Sequence, residues 1–153
     1  MSRSQVNVEN ITPGMVIYAA PGPLIVEDVL TTQTLSKQRK DKHPLLVLSV
    51  DAPAQSITVT YIASFKGASN LASVQMRGGI AAKKDFVPII PATKEYEHDP
   101  ISWESHPAPI PAGWVSVRNK TVLTAATFTT FNDEKYFTAE TAGDIDALIN
   151  TIV

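Results

Sequence analysis

The residue types best suited to chemistry lie at the two ends of segment 42–64. Lys42 and His43 come directly before one apolar run, and Ser64 comes directly after a second run. A histidine can accept or donate a proton near neutral pH because its unperturbed pKa is about 6.5. A lysine can stabilise negative charge, and a serine hydroxyl can orient an anionic group through a hydrogen bond. These three residues are therefore candidates for acid–base chemistry on an anionic substrate.

A basic stretch, residues 37–42, precedes the first apolar run. Its charged members are Lys37, Arg39, Lys40, Asp41 and Lys42. The whole chain carries a net charge of −2, so four cations against one acid form a local positive patch and not part of a global field. We predict that this stretch contacts phosphate groups, with Lys66 as a further cation. The alternative is a solvated loop that keeps the edge of a sheet soluble.

Two apolar runs within segment 42–64 predict the element that positions these residues. The run 45–50 is nearly continuous, which is typical of a strand buried on both faces. In the run 57–62, Ile57, Val59 and Tyr61 lie on one side and Thr58, Thr60 and Ile62 on the other. This alternation is typical of a half-buried strand. A short polar loop joins them and favours an antiparallel hairpin. Such a hairpin would bring the start of the first strand close to the end of the second.

The rest of the chain predicts further strands and a C-terminal helix. Thr138 or Thr141 could cap this helix at 138–152, and four apolar residues form a stripe along one face. The stripe is Ile145, Leu148, Ile149 and Ile152. Short strands are predicted at 15–19, 86–90, 114–117 and 121–130, with a flexible segment at 1–10 and a loop at 31–41. This pattern indicates a β-rich α+β domain with a partly closed barrel.

Segment 91–113 is predicted to be a long surface loop, since it contains five prolines. Ile101 and Trp103 are expected to anchor it to the barrel, and we interpret them as candidate partner-binding residues. Trp103 could instead join Trp114 and Tyr96 in a platform for stacking bases. The two histidines of this segment match no compact ligand spacing, so no metal site is predicted.

The composition limits the classes of function that the chain can have. Its 153 residues predict a single domain, residues 1–153, and the absence of cysteine excludes disulfides and thiol nucleophiles. No phosphate-binding glycine loop and no Gly-x-Ser-x-Gly motif occurs, which argues against those enzyme classes. No secretory signal or membrane span is recognisable. We therefore expect a cytoplasmic protein that has no cofactor and no contact with a membrane.

The order of these elements resembles the PemK/MazF family of small SH3-like barrels. Those toxins begin with a Pro-Gly or Arg-Gly turn and a strand, continue with a basic-Pro-Val-Leu-Val strand and its antiparallel partner, and end in an amphipathic helix. The matching pieces here are Pro13–Ile17, Lys42–Leu48, Ile57–Ser64, Trp114–Thr130 and Thr138–Ile152. The arginine expected before the proline is His43 in this chain, and the threonine expected after Ile62 is Ala63.

The resemblance implies an SH3-like barrel that binds RNA, forms a homodimer and cleaves RNA without a metal. Such cleavage needs a base for the 2′-hydroxyl, an acid for the leaving oxygen and a cation near the phosphorus. His43 would supply acid–base chemistry, Lys42, Arg39 or Lys66 the cation, and Ser64 a hydrogen bond to phosphate. The alternative function is a non-catalytic module that binds a protein partner through segment 91–113. A small-molecule site lacks a convergent set of polar groups to support it.

Overall fold

The computed structural model describes residues 3–30, 34–65, 68–72, 74–104, 113–131 and 136–152. The strands in these ranges are β1 (Gln5–Asn7), β2 (Val16–Ala19), β3 (His43–Asp51), β4 (Ser56–Ala63), β5 (Phe86–Ile89), β6 (Gly113–Ser116), β7 (Thr121–Thr124) and β8 (Thr127–Thr129). The helices are α1 (Leu35–Lys40), α2 (Gly79–Lys83) and α3 (Ala139–Ile152). Three single 3-10 turns lie at Val8–Asn10, Gly22–Leu24 and Glu27–Val29. The protein is thus a β-rich α+β fold.

The hairpin predicted for segment 42–64 is confirmed. Strands β3 and β4 pair antiparallel, with Leu45 opposite Tyr61 and Val47 opposite Val59. The register shifts by one residue between Val47 and Ser49, which indicates a β-bulge in β3. Residues 52–55 form the turn between the two strands. The start of β3 and the end of β4 therefore lie at the same end of the hairpin.

The hairpin is the centre of an antiparallel sheet with the order β2-β3-β4-β6-β5. Strands β6 and β7 both pair with β4, and each uses a different half of it: Ile62 lies opposite Val115, and Val59 opposite Thr121. The turn at 118–120 therefore connects two strands that lie one after the other beside β4, and β6 and β7 do not pair with each other as a hairpin. Strands β1 and β8 form a separate two-stranded sheet, which one isolated bridge from Ile17 to Thr130 joins to β2.

Two apolar cores lie on the opposite faces of β3, because successive side chains of a strand point to opposite sides. Leu45 and Val47 belong to the first core, whereas Leu46 and Leu48 belong to the second. All four side chains are at most 5% exposed. Burial on both faces explains why the run 45–50 is nearly continuous in apolar residues.

Helix α3 covers the second core, as its apolar stripe predicts. Ile145 and Ile149 are buried there, and Leu148 packs at the margin. Ile152 lies beyond the side chains that the structure describes. The hydroxyl of Thr138 accepts a hydrogen bond of 3.0 Å from the backbone N–H of Thr141, so Thr138 is the N-cap. Neither this helix nor any other described one is long and apolar enough to cross a membrane.

The prediction of a loop at residues 31–41 is wrong for residues 35–40. Residues 35–40 form α1, and residues 31–33 are outside the described part of the chain. Segment 121–130, predicted as one strand, contains β7 and β8 with a break at Ala125–Ala126. The segment expected to be flexible, 1–10, instead carries β1, which pairs by backbone hydrogen bonds and leaves little trace in hydrophobic periodicity.

The prediction that Ile101 and Trp103 anchor the Pro-rich segment is confirmed. The backbone N–H of Ile101 donates to Pro88 at 2.9 Å, and its carbonyl accepts from Ile90 at 2.8 Å. The ring of Trp103 stacks on Phe137 with 4.3 Å between centroids. The Ile101 contacts hold the middle of the segment against β5, which forms one end of the main sheet, and the Trp103 stack holds it against Phe137. Residues 105–112 are outside the described part of the chain.

Candidate anion-binding pocket

A pocket of about 340 Å³ opens where β3 begins and β4 ends. Lys42, His43 and Ser64 all line it, with Pro44 and Ile62 contributed by the strands themselves. The antiparallel register explains this arrangement, because residues before β3 and after β4 converge at one end of the hairpin. Three side chains singled out from sequence therefore share one cavity. Their chemical roles remain predictions.

The alternation of side chains along β3 and β4 decides on which face of the sheet each of these residues lies. Pro44 and Ile62 have the parity of the second core, whereas His43 has the parity of the first. The imidazole of His43 accordingly makes an edge contact with the ring of Tyr61, with 6.4 Å between centroids. Tyr61 is a first-core residue that is only 3% exposed. His43 is therefore a residue of the pocket wall whose ring packs on the first core.

Burial controls the protonation of His43. Desolvation lowers the pKa of the imidazole, while a hydrogen bond to the backbone of Gln38 and the charge of Asp41 act in the opposite direction. The Nε2 atom is buried and has no hydrogen-bond partner among the described residues. A buried ring nitrogen without a partner favours the neutral imidazole, because an unpaired charge in a desolvated site is costly. His43 is therefore neutral at pH 7.

The sequence gives no indication of the second half of the pocket, which Arg3, Tyr18 and Phe131 form. The guanidinium carbon of Arg3 lies 4.1 Å from the ring centroid of Tyr18 and 5.7 Å from that of Phe131. Arg3 Nε also donates a hydrogen bond of 3.1 Å to the carbonyl of Phe131. Arg3 lies in a polar segment that was expected to be flexible. Only the pairing of β1 with β8 could have revealed its position.

The charged residues that line the pocket are basic in the part of the chain that the structure describes. Arg3 and Lys42 line it, and no carboxylate occurs among the described lining residues. The remaining wall is largely apolar and includes Ile62, Ile89 and Trp103. A wall that carries cations attracts anions, although Asp41 lies next to Lys42 in sequence and weakens this field, and an apolar wall accommodates an uncharged part of a ligand. The chemistry of the pocket therefore suits an anionic ligand that also carries an apolar or aromatic group.

Three of the other predicted cations, Lys37, Arg39 and Lys40, do not line this pocket. Lys37 pairs with Asp41 at 2.7 Å, and both side chains are largely exposed. Arg39 Nε donates a hydrogen bond of 2.9 Å to the carbonyl of Ile25, and Lys40 is exposed at the end of α1. The structure does not bring these three residues to the pocket wall, and Lys66 is outside the described residues. Asp41 therefore partly neutralises the patch predicted from the basic stretch.

The prediction that Tyr96, Trp103 and Trp114 form a platform for stacking bases is wrong for Trp114. Its side chain is only 1% exposed, and its indole Nε1 donates a hydrogen bond of 3.0 Å to Ala68. Trp114 is therefore a core residue without a face for a base. Trp103 lines the pocket but contributes a ring that already stacks on Phe137.

A second cluster of charges lies around Arg118, outside the pocket. Arg118 pairs with Asp28 at 3.2 Å and with Asp85 at 3.3 Å. Desolvation raises the pKa of Asp85, although the charges of Arg118 and His98 oppose this effect. The two acids pair with the Nη2 and Nε atoms of this guanidinium, while its buried Nη1 has no hydrogen-bond partner among the described residues. Within the described ranges, no three His, Cys, Asp or Glu residues are grouped as metal ligands.

Neither a scan against protein-family models nor a search of curated proteins gave a match for this chain. The resemblance to PemK/MazF toxins therefore rests on the order of the elements and on short motifs. The geometry of the pocket has to carry the functional argument.

Proposed function

We propose that this protein is a PemK/MazF-like barrel that binds single-stranded RNA in the pocket at the end of the β3–β4 hairpin. In this proposal Lys42 contacts a backbone phosphate and Ser64 donates a hydrogen bond to a phosphate oxygen. The observation that carries the proposal is the lining itself, with two cations, no described carboxylate and an apolar wall. RNA offers the matching chemistry, since each nucleotide joins a negative phosphate to an aromatic base.

The topology gives limited support to the barrel. Strand β8 follows β7 directly, and Thr130 just beyond it bridges to Ile17 on the free edge of β2. The backbone N–H of Phe131 also donates to Val16 at 2.9 Å. These contacts link the free edge of β2 to the segment that follows β7 and β8, which supports the partial closure that we propose for the barrel. The homodimer that the resemblance implies remains part of the proposal.

We expect Lys42→Gln to weaken RNA binding by about tenfold, because one charge-assisted phosphate contact is lost. The slope of log K against log salt should become shallower by about 0.7, the value for one contact to a single strand. Fluorescence anisotropy with a labelled single-stranded RNA of mixed sequence, from about 50 to 200 mM salt, measures both quantities.

Lys84→Gln is the matched control for Lys42→Gln. Lys84 is exposed and does not line the pocket, and the substitution changes the net charge equally. Its effect should stay within about twofold, since only the long-range field changes. Equal losses for both variants would mean non-specific attraction, and no salt-dependent binding by the unmodified protein would refute RNA binding.

Metal-independent cleavage of RNA is a second candidate, and the neutral state of His43 favours it. A neutral imidazole can take the 2′-hydroxyl proton, and the 2′-oxygen then attacks phosphorus while the bond from phosphorus to the 5′-oxygen breaks. The leaving 5′-oxygen takes up a proton from water or from the imidazolium that the first step formed. The products would be a 2′,3′-cyclic phosphate and a 5′-hydroxyl. The contact with Tyr61 and the enclosed Nε2 require the ring to turn towards the pocket first. This requirement makes binding the better supported of the two functions.

Cleavage in EDTA should fall by a factor of about 10²–10⁴ in His43→Ala if His43 is the base. Because burial lowers the pKa of His43, the neutral form should persist to lower pH than for an exposed histidine, and the fall in rate on acidification should be shifted in the same direction. Gel analysis of an RNA substrate and of its 2′-deoxy counterpart measures this loss. Cleavage that survives in His43→Ala, or of the deoxy substrate, would contradict the mechanism.

Partner binding through segment 91–113 has less support than RNA binding. Ile101 and Trp103, the residues predicted to meet a partner, both make contacts within the chain. Both side chains are only partly exposed, so neither offers a large free apolar surface. The non-catalytic protein-binding module therefore remains the weaker alternative.

A further inference from the structure

We infer that Arg3, delivered by the N-terminal strand, is the residue that holds the RNA phosphate in the pocket. The inference rests on the proposed function and identifies the ligand-binding group of the same site. Arg3 is distant in sequence from the hairpin that forms the rest of the pocket, yet it lines the same cavity as Lys42 and Ser64.

The guanidinium of Arg3 is fixed on one side by aromatic and backbone contacts. It lies 4.1 Å from the centroid of Tyr18, and its Nε donates to the Phe131 carbonyl at 3.1 Å. These contacts use the face of the guanidinium and one of its five N–H donors. No further partner of Arg3 is recorded among the described residues. Its terminal Nη groups are therefore available to a ligand in a preoriented state.

The backbone next to Arg3 is also well anchored. The N–H of Ser4 donates to the hydroxyl of Thr130 at 2.9 Å, and the N–H of Thr130 donates to the Ser4 carbonyl at 2.9 Å. The ladder continues with Gln5 opposite Thr129. Two strands therefore hold the residue that carries the guanidinium, and little backbone entropy is lost when a ligand binds.

A fixed guanidinium suits phosphate better than the other cation of the pocket does. Arginine presents a planar fork that binds two phosphate oxygens at once, whereas lysine is a point charge on a flexible stem. Lys42 is exposed, and no contact of its ammonium is recorded among the described residues. His43 stands where the PemK/MazF resemblance leads us to expect an arginine. Arg3 brings a guanidinium to the same pocket from the segment just before β1.

The test compares Arg3→Gln, which removes the charge, with Arg3→Lys, which keeps the charge but removes the fork. We expect Arg3→Gln to weaken binding of the single-stranded RNA by about tenfold and to make the salt slope shallower. Arg3→Lys should keep the slope yet lose part of the affinity. A purely structural role would not separate these two variants by salt dependence.

Arg77→Gln is the matched control. Arg77 makes an exposed ion pair with Glu27 at 3.0 Å and does not line the pocket. This variant should bind RNA within about twofold of the unmodified protein. A thermal melt of each variant checks that the fold is intact, which is expected because Arg3 itself is exposed.

Uridine 3′-monophosphate and uridine provide a second pair of probes. The nucleotide should shift the side-chain Nε–Hε NMR signal of Arg3, and the nucleoside should not. If the protein binds RNA and Arg3→Gln binds it equally well, the role of Arg3 is overturned while RNA binding stands. If the protein binds no RNA but the nucleotide shifts the Arg3 signal, the phosphate site stands and the proposed function falls. If the protein binds neither the RNA nor the nucleotide, both the role of Arg3 and the proposed function are overturned.

Discussion

Replacing Gly14 with alanine should destabilise the protein by about 2–5 kcal/mol. Gly14 has φ +100°, a conformation that side chains with a Cβ rarely adopt. A Cβ at this position would also overlap the backbone carbonyl of Phe137. The backbone cannot move away easily, because Gly14 N–H donates to Val47 at 2.9 Å and its carbonyl accepts from Phe137 at 2.7 Å. Urea unfolding followed by circular dichroism measures the loss.

Gly22→Ala separates the two causes of this loss. Gly22 also has positive φ, +55°, but a Cβ there would meet nothing within 4 Å. It should cost only about 1–2 kcal/mol, from the backbone conformation alone. Equal losses in the two variants would show that the close approach of Phe137 contributes nothing.

The approach of Phe137 to Gly14 also matters for the pocket. Phe137 stacks on Trp103, and Trp103 lines the pocket wall. A shift of Phe137 away from a new methyl group would therefore move this wall. The Pro-Gly turn that resembles the start of PemK/MazF toxins thus positions the site through packing, although no atom of Gly14 lines it.

Trp114→Ala should cost about 3–5 kcal/mol, the range for removing a large buried aromatic side chain. Trp114 is 1% exposed and is among the largest fully buried side chains of the described chain. The change also removes the hydrogen bond from its indole to Ala68, which leaves that carbonyl without this donor. The midpoint of urea unfolding, compared at equal slope, gives the free energy.

Trp103→Ala is the matched control, since it removes the same group from a partly exposed site. It should cost only about 1–2 kcal/mol, mainly from the lost stack on Phe137. The reverse order of stabilities would contradict the assignment of Trp114 to the core. It would also reopen the possibility that Trp114 has a surface for bases.

Local pattern was sufficient to predict the hairpin and the terminal helix. The apolar runs 45–50 and 57–62 encode strands through their periodicity, and the spacing of Ile145 and Ile149 encodes a helix face. Thr138 and Thr141 were both candidate caps, and only Thr141 starts the Thr-x-x-acid spacing of a capping box, with Asp144. The hydrogen bond to the Thr141 N–H decided between these caps.

Pairing between distant segments was not predictable from such patterns. The helix at 35–40 is short and largely exposed, so no buried stripe marks it. Strand β1 has only three residues, and it exists because β8 offers a backbone ladder. Strands β6 and β7 share β4 because the chain continues along that strand after residue 117. Backbone hydrogen bonds depend weakly on residue type, and short strands therefore leave little signal.

The pocket shows the same division. The sequence by itself determined that Lys42, His43 and Ser64 would meet, because an antiparallel hairpin must bring its open ends together. Only the tertiary structure decided that the ring of His43 packs on Tyr61 and that Arg3 completes the cavity over Tyr18. The His43–Tyr61 contact depends on which face of β3 packs against the first core. The position of Arg3 depends on a contact between segments more than 120 residues apart in sequence, from Arg3 to Phe131.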